Sequence, residues 1–132
     1  VITPLAGFVS QGSAAILGLI AGPLFVAGEW WFSRSKWFSD PVGLLPGHLL
    51  GGIFGVAMIG FFTQHAFAAA SGNGNLPDGL LFGGGLPALG QLGIEMLGVV
   101  VVFVVVLVLS FVTSRILSIA FHGITNDYRT DA

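Results

Sequence analysis

Residues 98–112 read GVVVVFVVVLVLSFV, and Ser110 carries the only polar side chain among them. In water, a run so rich in β-branched residues would favour a β-strand. In lipid an isolated strand cannot satisfy its backbone hydrogen bonds, whereas a helix can, so the run predicts a membrane-spanning helix. The surrounding apolar stretch covers about 86–121. As a helix it would measure about 54 Å against a hydrocarbon core of about 30 Å, so we expect a long, tilted last helix.

The composition of the whole chain points to a membrane protein as well. Of 132 residues, 55% are hydrophobic and 8% are charged, whereas ordinary soluble domains carry roughly 25% charged residues. A chain with so little charge cannot cover a water-facing surface, which excludes a soluble globular fold and a disordered chain. Four basic residues and a net charge of −2 exclude a nucleic-acid-binding protein that neutralises phosphates. The expected fold class is an all-α membrane protein with three transmembrane helices.

Two polar breaks divide the chain, which we treat as a single membrane domain over 1–132, into three spans. Each span is long enough to cross a bilayer, and the predicted bounds are about 14–32, 44–70 and 86–121. The polar segments between and after the spans are a loop at 33–43, a glycine-rich loop at 71–85 and a tail at 122–132.

Three residues are expected to anchor the helices at the membrane interface. Trp30 and Trp31 end the first span, and indole rings prefer the headgroup level of a bilayer. Arg115 lies near the end of the last span, where its long side chain can reach the interface while its stem stays in the apolar layer.

The four basic residues predict an orientation. Arg34 and Lys36 lie in the 33–43 loop, and Arg115 and Arg129 lie towards the C-terminus, whereas the 71–85 loop has no lysine or arginine. Basic residues accumulate on the cytoplasmic side, so we expect the first loop and the C-terminus inside and the second loop outside. The expected location is a bacterial inner (cytoplasmic) membrane.

Small residues in the first two spans predict close helix packing. Glycines let helix backbones approach in lipid, where the hydrophobic effect does not drive association. We expect the first and second spans to cross through Gly18, Gly22, Gly51, Gly52, Gly55 and Gly60. The valine-rich face from Val99 to Val108 should meet lipid or a partner subunit.

Ionisable residues inside spans are costly and usually face protein or water. His48 is the strongest candidate for a functional residue, and a packing hydrogen bond is the alternative. Gln64 and His65 fit an interfacial structural role better than a proton relay. For Glu95, a buried contact or helix cap is the preferred interpretation and ion handling the alternative.

Enzymatic and cofactor chemistry finds no support in the sequence. The three histidines show no metal-ligand spacing, and no two of them are four residues apart, so we predict no metal site. No nucleophile motif is present, and Gly83–Gly85 lacks the lysine and the strand-to-helix context of a phosphate loop. Pigment or haem ligation by a single membrane histidine stays a minor alternative. We expect no enzyme activity and no cofactor.

Four segments occur in an order and spacing that narrow the choice of family. They are ITPLAGFVS at Ile2–Ser10 with GLIAG at Gly18–Gly22, DPVG at Asp40–Gly43 leading to His48 and Gly51-Gly52-Ile53, LFGGG at Leu81–Gly85, and QLGI at Gln91–Ile94 followed by Leu97-Gly98-Val99. Together they resemble the ammonium transporter family (Amt/Mep/Rh), specifically its last three transmembrane helices. The resemblance extends to about Phe121.

The resemblance implies a trimeric membrane protein in which each subunit has a narrow pore. In the family, ammonium is deprotonated at an outer site, and ammonia passes a hydrophobic pore lined by two neighbouring histidines. His48 lies eight residues after Asp40, where the family places the second of these histidines. Desolvation in a dry pore favours neutral imidazoles, which can hydrogen-bond a passing amine.

The sequence around His48 departs from the family pattern. Family members read Phe-Gly-Val-His-Gly-Val-Gly-Gly, whereas this chain reads LPGHLLGG at Leu45–Gly52. Pro46 and Gly47 can bend the helix just before the histidine. The partner histidine, the pore phenylalanines and the outer recruitment site belong to earlier helices of the family.

Two functions from different classes therefore remain open. In the first, the chain is the C-terminal part of an ammonium transporter and needs further helices to form a pore. In the second, it is a non-conducting accessory or structural subunit of a larger membrane complex. The expected partners are the lipid bilayer, further helices or subunits, and in the first case ammonium or ammonia. No nucleic acid is expected.

Overall fold

A computed structural model describes residues 3–35 and 40–121 as helices and loops, without a strand in these ranges. Four helices follow one another in this part of the chain: α1 (Gln11–Ser33), α2 (Leu45–Phe62), α3 (His65–Ala70) and α4 (Gly85–Ala120). Three of them, α1, α2 and α4, are long and apolar enough to cross a membrane. The predicted all-α class with three spans and a long last helix is confirmed. Ile2, Lys36, Arg129 and the 122–132 tail lie outside the described residues.

The N-terminus of α1 is capped by a serine. Ser10 has an extended backbone, and its hydroxyl accepts a hydrogen bond from the Ser13 N–H at 3.3 Å, as a helix N-cap requires. The helix continues through Pro23 to Ser33. Its buried residues Ser13, Leu17 and Gly28 lie on one face, because steps of four and eleven residues return to the same side of a helix.

The second predicted span, 44–70, is not one continuous helix. The first part, α2, ends at Phe62, and α3 is a separate helix of six residues. At the break, the Thr63 carbonyl accepts from the Gly79 N–H at 2.7 Å, and the Gln64 N–H donates to the Phe8 carbonyl at 2.8 Å. The helix ends here because neighbouring segments take the backbone groups that would continue it.

Contacts at both ends place α1 and α2 antiparallel. Gln64, just after α2, donates from its side-chain amide to Ser10 and Ser13 at the start of α1. At the opposite end, Gly28 of α1 packs against the first residues of α2. The loops at 33–43 and 71–85 therefore lie at opposite ends of this helix pair.

A close approach of α1 and α2 occurs at Gly28, a glycine outside the predicted set. A Cβ atom added at Gly28 would lie 2.8 Å from Cδ2 of Leu50 and 3.0 Å from Cβ of Pro46. Added at Gly22 or Gly52, it would meet no atom within 4 Å. Gly28, near the C-terminal end of α1, thus packs closely on the first turns of α2.

Contacts divide the chain into two units, residues 1–97 and 98–132. The first unit holds α1, α2, α3 and the start of α4. In it, α4 crosses α2 where Gly60 meets Leu92, whose Cβ would be 2.8 Å from a Cβ added at Gly60. The second unit, described over 98–121, is the remainder of α4, and from Val100 onwards its large apolar side chains are about half exposed or more.

Candidate functional site

His48 lies in an unusual first turn of α2. Residues Leu45–Leu50 form a π-helix, in which the Gly51 N–H reaches back to the carbonyl of Pro46 as well as that of His48. Such wide turns are rare and occur frequently at functional sites. The His48 imidazole is exposed and forms no hydrogen bond within the described residues.

Asp40 fixes the start of this turn. Its two carboxylate oxygens accept hydrogen bonds from the backbone amides of Leu44 and Leu45, at 2.9 and 2.7 Å. These donors, that of Leu45 foremost, hold the pKa of the Asp40 carboxyl below its ordinary value. The negative charge also suits a helix N-terminus, where backbone N–H groups point outwards. Asp40 therefore sets the position at which the helix bearing His48 begins.

Helix α1 holds the π-helical turn from one side. Gly28 is buried and leaves room for Leu50 and Pro46. The ring of Phe25 lies close to Gly47, with its Cε2 atom 3.4 Å from an added Cβ. The residues on both sides of His48 are thus packed against α1.

Glu29 belongs to the same end of the helix pair. Its Oε2 atom would lie 3.1 Å from a Cβ added at Gly43, whose φ of +68° is one that glycine adopts readily. The turn between Asp40 and α2 therefore passes closely beside the Glu29 carboxylate. A side chain at position 43 would be both strained and crowded.

A polar network closes the opposite end of the helix pair. The Gln64 amide nitrogen donates to the hydroxyls of Ser10 and Ser13 at 3.3 and 3.2 Å, and the Ser10 hydroxyl donates to that of Ser13 at 3.1 Å. The Ser71 hydroxyl donates to the carbonyl oxygen of Gly7 at 3.2 Å. These contacts give Gln64 a structural role between α1 and the end of α2, and its location at a membrane interface stays a prediction.

His65 is held at the start of α3. Its backbone N–H donates to Oδ1 of Asp78 at 2.7 Å, and its ring Nδ1 lies 2.9 Å from the carbonyl of Leu76. The carbonyl can only accept, so Nδ1 carries a hydrogen in this arrangement. His65 therefore ties the second loop to the break after α2.

Glu95 and Gln91 form a polar pair on α4. The Gln91 amide donates to Oε1 of Glu95 at 3.0 Å, one helical turn away. The second oxygen, Oε2, is buried and has no hydrogen-bond partner.

The other predicted site residues lie on α1, α2 and α4. Trp30 and Trp31 are 60% and 69% exposed near the end of α1, and the Arg34 guanidinium stacks 3.9 Å from the Trp30 ring centre. Arg115 lies 5.4 Å from the ring centre of Phe111 in the second unit. Gly51, Gly55 and Gly60 are buried on α2, and Gly18 is half-buried on α1.

Sequence reasoning missed the residues that hold the candidate site. Asp40 was part of a recognised motif, yet its role as a cap depends on where α2 begins. Gly28 differs from the other glycines only by lying on the same face as Ser13 and Leu17, a spacing that the sequence contains. Over residues 3–35 and 40–121, no three histidine, aspartate or glutamate side chains come together as a metal site.

Comparisons with known proteins place these features in a family. The model of the Ammonium Transporter Family matches residues 1–127. "Ammonium transporter Amt2" of Archaeoglobus fulgidus is 30% identical over 82 residues, which are 62% of this chain and 17% of that protein. "Putative ammonium transporter" of Methanothermobacter thermautotrophicus is 29% identical over 116 residues, which are 88% of this chain and 26% of that protein.

The chain spans about a quarter or less of the length of these relatives. No solved structure matches it. The family model nevertheless covers all three membrane helices and the motifs around His48. The chain belongs to the ammonium transporter family, a family of membrane transport proteins.

Proposed function

We propose that this chain supplies three membrane helices of an ammonium transporter, with His48 lining the path of ammonia. The family match over residues 1–127 carries the proposal. Three helices cannot enclose a pore by themselves. The polar groups that line a path for ammonia must be screened from lipid on every side, and three helices leave part of such a path open. Further helices, in the same protein or in partner subunits, complete the wall.

The environment of His48 supports this role. The Asp40 cap and the contacts of α1 fix the turn in which His48 lies, while the imidazole itself is left exposed. A fixed backbone with an exposed imidazole suits a residue that contacts groups outside this chain. In the proposed pore, a neutral imidazole would donate or accept one hydrogen bond with ammonia.

The apolar surface of the helices supports a membrane-embedded complex. Large side chains of α1 such as Leu19, at 76% exposed, and Val26, at 66%, are not covered by the part of the chain that the structure describes. Lipid or further helices of the transporter would cover them. We place the protein in a bacterial inner membrane, with the 33–43 loop and the C-terminus in the cytoplasm, on the distribution of basic residues.

The decisive experiment compares His48→Ala with His65→Ala in the native protein. Both substitutions are introduced into the chromosomal gene, and the protein is purified from its own membrane with every helix and subunit that accompanies it. After reconstitution into liposomes, ammonium-driven alkalinisation of the interior is followed with an enclosed pH dye. We expect flux in the wild type and His65→Ala, and only the leak of empty liposomes in His48→Ala.

The same measurement separates the proposal from the accessory-subunit alternative. A purified complex that contains the chain but conducts no ammonium in its wild-type form would favour a non-conducting subunit. Flux that survives in His48→Ala would remove His48 from the pathway. The thermal stability of each variant is measured in parallel, so that a loss of folding is not mistaken for a loss of conduction.

A further inference from the structure

We propose that Glu95 is a proton-binding site inside the membrane, at the crossing of α2 and α4. The residue belongs to the part of α4 that packs on α2. Leu92, three residues earlier on the same helical face, contacts Gly60 of α2 at the crossing point. Glu95 is one turn further along this face and is half-buried.

The two carboxyl oxygens of Glu95 differ in their surroundings. Oε1 accepts the hydrogen bond from Gln91, whereas Oε2 is inaccessible and accepts no hydrogen bond of good geometry, although the Gly60 backbone N–H of α2 lies beside the carboxyl. An ionised carboxylate can accept about four hydrogen bonds, and burying one that lacks them has a high desolvation free energy. A proton on Oε2 removes the charge and therefore most of this cost.

No positive charge within the described part of the first unit is placed to neutralise Glu95. On α2 the one titratable residue is His48, twelve residues from Gly60 and so about 18 Å along the helix. Glu29 and Arg34 of α1, with Asp40, lie at that same distant end.

At the near end, His65 and Asp78 are engaged with Leu76 and with each other. The two short 3-10 turns that pack on α2, Thr3–Leu5 and Leu80–Phe82, carry no ionisable side chain. On α4, Gln91 is neutral and Arg115 follows twenty residues after Glu95. None of these neighbouring groups therefore provides a counter-ion for the Glu95 carboxylate.

A proton fits this site better than a larger cation. Oε2 has no accessible surface, so an ammonium ion, a sodium ion or a water molecule could reach it only after the helices move apart. Protonation needs no such space. One proton from the aqueous side binds one lone pair of the carboxylate and gives the neutral acid, with no other reactant.

The location gives protons a short route from one side of the membrane. Gly60 lies two residues before the end of α2, so the crossing lies near the end of the helix pair at which Gln64 contacts Ser10 and Ser13. This site is independent of ammonium conduction, and it would exist whether or not His48 lines a pore.

Infrared spectroscopy tests the proposal directly. The protein is purified with its native partners, placed in nanodiscs of ether-linked lipids, which have no ester carbonyl, and titrated while the carbonyl band of protonated carboxylic acids is recorded. We expect such a band at neutral pH in the wild type, its absence in Glu95→Gln, and its persistence in the matched control Glu29→Gln. A wild-type spectrum without this band at neutral pH, or a band that remains in Glu95→Gln, would overturn the proposal.

A stability measurement distinguishes folding defects from loss of the proton. If the folded protein holds the acid form, Glu95→Gln replaces it with a neutral side chain of the same shape and should match the wild-type stability below about pH 4, where an unfolded glutamate is also protonated. As the pH rises above this value the wild type should lose stability relative to Glu95→Gln, and the difference should level off where the band disappears. Equal pH dependence of the two proteins would contradict a proton held by Glu95.

Discussion

Asp40 satisfies two backbone amides that no helical carbonyl can reach, those of Leu44 and Leu45. Asp40→Ala removes both acceptors at the start of the helix that carries His48. We expect the thermal unfolding midpoint of the purified protein, followed by circular dichroism, to fall. Asp40→Asn keeps one acceptor oxygen and should lose less stability than Asp40→Ala. Equal midpoints of the wild type and Asp40→Ala would show that the cap does not hold α2.

The same residue predicts a pH dependence with a defined sign. Hydrogen bonds from Leu45 first, and then from Leu44, lower the pKa of Asp40 in the folded protein from the ordinary value of 3.8. A lowered folded pKa contributes stability that is complete above the unfolded value and is lost as the pH falls through the folded value. The wild type should therefore approach the stability of Asp40→Asn below about pH 4. A constant difference between the two proteins from neutral to acid pH would contradict this.

Gly28 lies at a close approach of α1 and α2, and Gly22 is its matched control. In Gly28→Ala the new methyl group would collide with Leu50 and with the rigid ring of Pro46. We expect a loss of about 1–3 kcal/mol, the usual cost of overpacking. Gly22→Ala meets open space in this chain and should be neutral or slightly stabilising. Chemical denaturation in detergent measures both, and a greater loss in Gly22→Ala would reverse the assignment.

At the scale of elements, the break after α2 depends on contacts from distant parts of the chain. Gln64 joins it to the first turn of α1 through Ser10 and Ser13. Gln64→Ala removes both side-chain bonds, and each bond of this kind in a membrane contributes on average about 0.6 kcal/mol. We expect faster hydrogen exchange over residues 8–13, measured by mass spectrometry. Asn73→Ala, which loses one exposed bond to Ser71 at 3.4 Å, should leave that segment unchanged.

The helices of this protein could be predicted from the sequence, but their interruptions could not. A helix over 98–112 follows from the need to satisfy backbone groups in lipid, and that need overrides the strand preference of valine. The break at Thr63 depends on Gly79 and Phe8, which are remote in sequence. The π-helical turn at Leu45–Leu50 also involves packing on Gly28. Hydropathy contains no information on such partners, so the second span was predicted as one continuous stretch.

For the candidate site as a whole, the family motifs indicated His48, whereas its supports required a structure. A histidine eight residues after an Asp-Pro pair is a local pattern that a single sequence contains. The packing of Phe25 against Gly47, and of Gly28 against Pro46, joins residues about twenty positions apart. Several glycines in α1 are equally plausible contacts by sequence, and only the direction of the helix face selects Gly28. The partners of His48 outside this chain stay a prediction.

At the scale of the molecule, the antiparallel α1 and α2 predict that the first and second loops lie on opposite sides of the membrane. The natural chain has no cysteine, so single cysteines report one position each. Val42→Cys, at a side chain 73% exposed, marks the first loop, and Gly74→Cys marks the second. In oriented inner-membrane vesicles and in intact cells, a membrane-impermeant maleimide should label Val42→Cys from the cytoplasmic face and Gly74→Cys from the outer face.

Val104→Cys is the control for the span itself. Its side chain is 52% exposed in the chain, yet it lies within the valine run that we assign to the hydrocarbon core. A thiol there is shielded from an aqueous reagent and stays in its unreactive protonated form, so it should resist labelling from either face. Labelling of Val42→Cys and Gly74→Cys from the same face would contradict two crossings by α1 and α2. Rapid labelling of Val104→Cys would show that the valine run is exposed to water. Its apolar composition could then be explained only by another protein surface that covers it.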